Sequence, residues 1–273
     1  MASSSAMPTF KKAPVTEVAL SIEFLPLDKW DFSSALLFGK ILSGEYPKIE
    51  VKQPLFSEIE KFGDEFWQQN QMKVEMMDQN AQRFWFVSDP PNWIIQVQKD
   101  RFVLNWRKIT GEEEYPRYEQ VIRERFTDEL SRFFKFVEDQ SIGKISVTQC
   151  EVTYVNDIPR VEYWNSLNEG TELFTTLSKN DGTQFLGDIE SIAVTGSYLM
   201  NDNLGRLRFS INHALRNSDG QEVLKMNLIA RGRPSESDKE SILEWIDSGR
   251  KWIVKGFEEL TTKKAHVMWK KIE

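Results

Sequence analysis

Two stretches of this chain, Thr16 to Phe24 and Thr148 to Asn156, read as β-strands. Each is followed by a proline (Pro26, Pro159), and each opens a half that closes on a long amphipathic helix. An element order that recurs constrains the fold more than any single motif here, because both copies must bury their apolar faces in a shared layered architecture. In the first stretch Val18, Leu20, Ile22 and Phe24 alternate with Glu17, Ala19, Ser21 and Glu23, the period of a strand with one buried face.

The intervening elements follow the same order in both halves. Ala35, Leu36, Phe38, Ile41 and Leu42 fit a short helix ending near Ser43-Gly44. Lys48 to Asn80 reads as partly irregular, with a helical-looking stretch from Ile59 to Trp67. Arg83–Val87, Trp93–Gln98 and Arg101–Lys108 then form a three-strand meander, and Tyr118, Ile122, Phe126, Leu130, Phe133 and Val137 trace one helix face. Ser141 to Lys144 breaks that helix. The second half offers a strand from Ile145 to Asn156 and a polar stretch, Arg160 to Gly182, of short turns. Strands over Asp188–Asn201, Arg206–Arg216 and Glu222–Ala230 follow. Asn203-Leu204-Gly205 and Ser218-Asp219-Gly220 supply its turns. Ser237 and Glu240 have capping-box spacing before a closing helix marked by Ile242, Trp245, Ile246, Trp252, Ile253, Phe257 and Leu260, and Thr261 to Glu273 extends or reorients it.

The predicted fold is therefore α+β: a tandem pseudo-repeat of strand, helix, three-strand meander and long helix, with antiparallel sheets and the long helices on one face. Residues 1–12 are expected to be a flexible leader, 13–140 the first half and 144–273 the second, packed as one unit.

Composition narrows the function classes. The chain has 273 residues, 9 Trp and 18 Phe, enough apolar bulk for an aromatic-rich core. Its net charge of -7 argues against generic attraction to nucleic acid or anionic lipid. A lone Cys150, no secretory leader and no apolar run of about 20 residues point to a cytoplasmic protein that does not cross a membrane.

Motifs for chemistry are sparse. His213, His266 and Cys150 are too few and too scattered for a zinc site, and no phosphate loop or nucleophile elbow occurs. No cofactor and no catalytic residue is expected. His213 falls in phase with Leu207, Phe209 and Ile211 and reads as a core histidine, while Cys150 reads as a small buried hydrophobe. One sharper pattern is Asp89 followed by Gln96-Val97-Gln98-Lys99, the order in which a metal-dependent nuclease places oxygen ligands and a lysine on adjacent strands.

Polar strand faces offer the other candidates. Asn105 and Arg107 oppose Phe102, Leu104 and Trp106, and Arg206 and Arg208 oppose Leu207 and Phe209. In equivalent halves these four side chains would share one open sheet face and receive an acidic ligand, because arginine presents several fixed donors.

Taken together, Ala13-Pro14-Val15-Thr16-Glu17-Val18, Ile22-Glu23-Phe24, Gln96 with Arg101-Phe102 and Asn105-Trp106-Arg107, Tyr115-Pro116 with Tyr118, and Tyr154-Val155-Asn156 with Ile158-Pro159 resemble a sporadically distributed family of uncharacterised bacterial proteins of about 250 residues, often met in variable genomic regions. The resemblance implies a bacterial cytosolic setting and an accessory role in a defence or toxin-neutralising locus. It carries no site residues with it.

The leading expectation is a non-enzymatic binding or regulatory module that recognises a protein partner, with homodimerisation expected of its open sheet edges. Two other readings stand beside it. One is a small-ligand sensor with a pocket between the sheet and the closing helix, lined by Trp245, Trp252 or Phe257; the other is the nuclease.

Overall fold

Among the described residues the alternating stretches pair into one antiparallel sheet of nine strands. The computed structural model describes residues 7–63, 82–177, 187–201, 204–216 and 219–272. The chain runs β1 (Thr9–Phe10), β2 (Val15–Phe24), α1 (Phe32–Leu42), β3 (Lys48–Lys52), β4 (Arg83–Val87), β5 (Trp93–Gln98) and β6 (Arg101–Arg107). A π-helical turn (Tyr118–Ile122) leads into α2 (Arg123–Asp139). Then come β7 (Val147–Pro159), α3 (Leu167–Thr171), β8 (Ala193–Leu199), β9 (Arg206–Leu215), β10 (Glu222–Gly232), α4 (Lys239–Leu260), α5 (Lys263–Met268) and β11 (Lys271–Ile272).

The strand order is β3-β4-β5-β6-β2-β7-β10-β9-β8, all neighbours antiparallel. Each half contributes a continuous block, and β2 pairs with β7 to join them, with Val18 opposite Tyr154, Leu20 opposite Val152 and Ile22 opposite Cys150. These residues share a face with Phe102 and Leu104 of β6 and Leu228 and Ala230 of β10, and on that face they are buried.

All three longer helices cover this side. In α2 the buried positions Phe126, Leu130, Phe133 and Val137 recur at three and four residues. Phe133 lies within 5.1 Å of the Phe102 ring centroid and 5.9 Å of that of Phe24. Phe38 of α1 reaches Phe86 and Phe133, each at 5.6 Å. In α4, Ile242, Ile246, Ile253 and Phe257 are buried, and the helix can sit close to the sheet because Gly256 has no side chain: a Cβ there would stand 2.5 Å from Leu207 Cδ2.

Several boundaries differ from expectation. Thr9 and Phe10 belong to a small two-stranded sheet with β11, and Phe10 is buried against Phe257 and Trp269, so the ordered chain starts earlier than a leader of twelve residues allows. Lys48–Lys52 is a strand, and 53–63 forms neither helix nor strand; the rest of the predicted helical stretch lies outside the described residues. The π-turn arises where Val121 and Ile122 both donate to the Arg117 carbonyl. Asp238, one residue after the expected Ser237, caps α4 by accepting from Ser241, while Ser237 Oγ accepts from the Val147 N–H. Among the described residues no helix is long and apolar enough to cross a membrane.

Candidate functional site

The face that carries no helix among the described residues is where the polar positions of the alternating strands fall. Asn105 and Arg107 in β6 and Arg206 and Arg208 in β9 do stand on it together. In register, Asn105 lines up through Ala19, Thr153 and Ile229 with Arg208. Four strand spacings of about 4.8 Å separate the two pairs by about 19 Å.

The chain itself covers part of this face, along the row that ends at Arg206 and Arg208. Residues 53–63 cross this face from β5 to β9, transverse to the strands, and a row of side chains holds the main chain of that strap. The Leu55 N–H donates to Gln98 Oε1 at 2.9 Å and Gln98 Nε2 donates back to the Leu55 carbonyl at 3.0 Å. Arg101 Nη2 donates to the Phe56 carbonyl at 3.0 Å. The Glu60 N–H donates to Gln149 Oε1 at 3.2 Å, and Gln149 Nε2 donates to the Glu58 carbonyl at 2.9 Å. Arg231 Nη1 donates to that same carbonyl at 3.2 Å, and Arg206 Nη1 to the carbonyl of Lys61 at 3.1 Å.

The strap's side chains are read as well. Ser57 donates its hydroxyl to Glu23, which also pairs with Arg101 at 2.7 Å. Glu60 is held by both predicted arginines: it pairs with Arg206 and takes two bonds from Arg208, at 2.8 and 3.0 Å. Gln149 is 1% exposed, Glu23 2% and Arg206 5%. Polar groups buried to this degree are costly unless bonded, so the strap and the row beneath it depend on each other.

The predicted residues therefore differ in state. Arg206 and Arg208 are engaged by Glu60 and do not form an open ligand site. Asn105 is also committed, donating to Glu17 at 2.5 Å and accepting from Gln96 at 2.5 Å. Arg107 stays at the rim, its guanidinium carbon 5.8 Å from the centre of the Trp85 ring. Burial pushes the Glu17 carboxyl up, against the pull of Asn105 and Arg107. Burial also works against the charge of Arg231, but Glu151, 2.6 Å away, raises it overall.

Gln98, Arg101, Glu23 and Gln149 are the members that motif reasoning missed as a strap clamp. The signal was in the sequence: each occupies the polar phase of its strand, where a sheet with one solvated face has no need of so many amides and acids. Gln96 and Gln98 drew attention as possible metal ligands. In the structure Gln96 accepts from Arg83 at 2.7 Å and Gln98 holds the strap, while Asp89 and Lys99 lie in turns at opposite ends of β5, a strand about 17 Å long. The strands do not bring that set together, and among the described residues no group of three or more His, Cys, Asp or Glu side chains could hold a metal ion.

The other predicted residues lie on the helical side. His213 Nε2 sits 2.9 Å from Glu222 and its ring 6.1 Å from that of Trp164; Cys150 is fully buried, which pushes its thiol pKa up. A cavity of about 340 Å³ does lie between the sheet and α4 and is lined by Phe257. Trp245 is elsewhere, donating Nε1–H to the Leu204 carbonyl at 2.9 Å, and Trp252 is not part of the lining.

No family model, curated protein or solved structure matches the chain.

Proposed function

We propose that this protein is a non-enzymatic binding module that holds an extended acidic segment of a protein partner on the strap-bearing face of its sheet, with residues 53–63 as the resident competitor. The observation that carries the reading is that Gln98 and Gln149 each clamp a peptide main chain through both atoms of their amides. Contacts to backbone accept any sequence that can lie extended, and the Arg206 and Arg208 pair adds a demand for an acid at one position. An accessory role beside other genes, as the family resemblance implies, fits a module whose resident segment a partner displaces.

The test is a labelled peptide of residues 53–63 titrated by fluorescence anisotropy against the full chain and against Glu60→Lys. Releasing the strap raises the fraction of chains able to bind, so the variant is expected to bind at least roughly tenfold more tightly. The same peptide with its glutamates changed to glutamine should lose that affinity. A folded Glu60→Lys chain that ignores the peptide sinks the proposal.

Two further readings rest on the fold. The orders β4-β5-β6-β2 and β8-β9-β10-β7 trace one path twice, which supports a tandem pseudo-repeat; an experimental structure in which the halves fail to superpose would refute it. Homodimerisation is proposed through β3, an edge strand beside the exposed Phe32, Leu36, Leu37 and Ile41 of α1. An antiparallel β3 pair centred on Val51 would set Lys52 opposite Glu50 of the second copy. Sedimentation should show a dimer that Val51→Lys dissociates; a monomer throughout would exclude it.

A further inference from the structure

The cavity on the helical side is separate from the strap-covered face, and its chemistry is its own. Leu228 of β10 and Ile253, Val254 and Phe257 of α4 give it an apolar body, and its polar lining includes Tyr115, Tyr154, Arg117, Glu119 and Arg250. Its 340 Å³ falls within the usual size of small-molecule sites.

Arg250 is the informative residue. Its Nε is buried and has no hydrogen-bond partner, although its guanidinium carbon lies 4.8 Å from the Tyr118 ring centroid. Its carboxylate contact is Glu119, at 2.6 Å, and that side chain is 61% exposed. An ion pair to so solvated a carboxylate contributes little, whereas a guanidinium N–H shut away from water asks for an acceptor. The neighbouring carboxylate Asp247 is already engaged by Tyr118 at 2.6 Å and by Arg123 at 2.9 Å. Two hydroxyls stand near by: those of Tyr115 and Tyr154 lie 2.9 Å apart, burial raises both pKa values so both stay protonated, and since one donates to the other the pair has one O–H left for a ligand.

We propose that this cavity binds a small amphipathic carboxylate, with its apolar body among Leu228, Ile253, Val254 and Phe257 and its carboxylate on Arg250 and the one free O–H of the Tyr115–Tyr154 pair. Two guanidiniums, Arg250 and Arg117, and the Glu119 carboxylate line the cavity, and this balance of one positive charge matches a single negative charge better than a dianion.

Saturation-transfer NMR and thermal shift on the full chain, with indole-3-acetate and octanoate as probes, test it. At least one probe should bind and raise the unfolding midpoint. Indole-3-acetamide, which keeps the body and loses the charge, and phenyl phosphate, which carries the dianion, should each bind at least tenfold more weakly than the carboxylate. Arg250→Met should abolish binding by removing the donor, and Val254→Trp by filling the space, with circular dichroism reporting that either variant is folded. The proposal is overturned if neither carboxylate binds, if the amide or the phosphate binds as well as the carboxylate, or if binding survives in a folded Arg250→Met or Val254→Trp chain.

Discussion

Arg208 grips Glu60 with two parallel bonds, Nε to Oε1 at 2.8 Å and Nη2 to Oε2 at 3.0 Å, across 148 residues of sequence. Arg206 reaches the same carboxylate from a more buried position. One acid thus serves two guanidiniums, and its removal is felt by both.

Replacing Glu60 with glutamine is therefore expected to destabilise the chain by about 3 kcal/mol, the usual result of deleting one member of a buried charged set. Adding Arg206→Met should recover most of that loss, because an apolar side chain of similar length does not need the carboxylate. Urea unfolding of the single and double variants measures both effects; a double variant no more stable than Glu60→Gln would contradict the account.

Gln149→Leu removes two bonds to the strap's main chain and should cost about 1–2 kcal/mol. The local effect is larger in proportion. Cleavage by Lys-C after Lys61 tracks the population in which the strap has lifted, so under native conditions it should run roughly tenfold faster in the variant. Equal cleavage rates would mean that Gln149 does not hold the strap down.

Glu129 gives a pH signature. Tyr46 donates its hydroxyl to it at 3.0 Å and Arg132 lies 3.4 Å away, but burial is the stronger influence and raises the carboxyl pKa. The native state then holds this proton more tightly than the unfolded chain. The stabilisation is fully present below the unfolded value, near 4.3, and is lost as pH rises through the native value. Glu129→Gln keeps an acceptor for Tyr46 and should raise Tm at pH 7.5 by on the order of 2 °C, with no gain at pH 4. A gain that is the same at both pH values would rule this out.

Phe133 touches the rings of Phe24, Trp30, Phe38 and Phe102. Truncation to alanine should cost about 3–5 kcal/mol, since it empties the junction of α1, α2 and the sheet. Calorimetry would show it as a large fall in midpoint, and a small one would place the core elsewhere.

Much of the scaffold was legible because it is local. The alternation of Val18, Leu20, Ile22 and Phe24 marks β2 without help from any distant residue, and the spacing of Phe126, Leu130 and Phe133 marks α2. What could not be read depends on distance. Lys48 to Lys52 becomes a strand because Arg83 to Val87 pairs with it across the intervening chain. The strap is held by partners up to 173 residues away, so nothing near Ser57 or Glu60 announces it. Arg206 and Arg208 were legible as a pair with one purpose, but not that Glu60 of the same chain would meet it.

The pairing of β2 with β7 decides what a fragment of this protein could be. Each of these strands is the inner edge of its own half, and each has an apolar row facing the helices. Cutting between residues 140 and 144 would leave two sheets ending in long, unprotected, strongly patterned strands, the kind of edge that recruits other chains. Each half would thus act as a chaperone for the other's seam, and separately made halves should be recoverable in solution only when they are produced together.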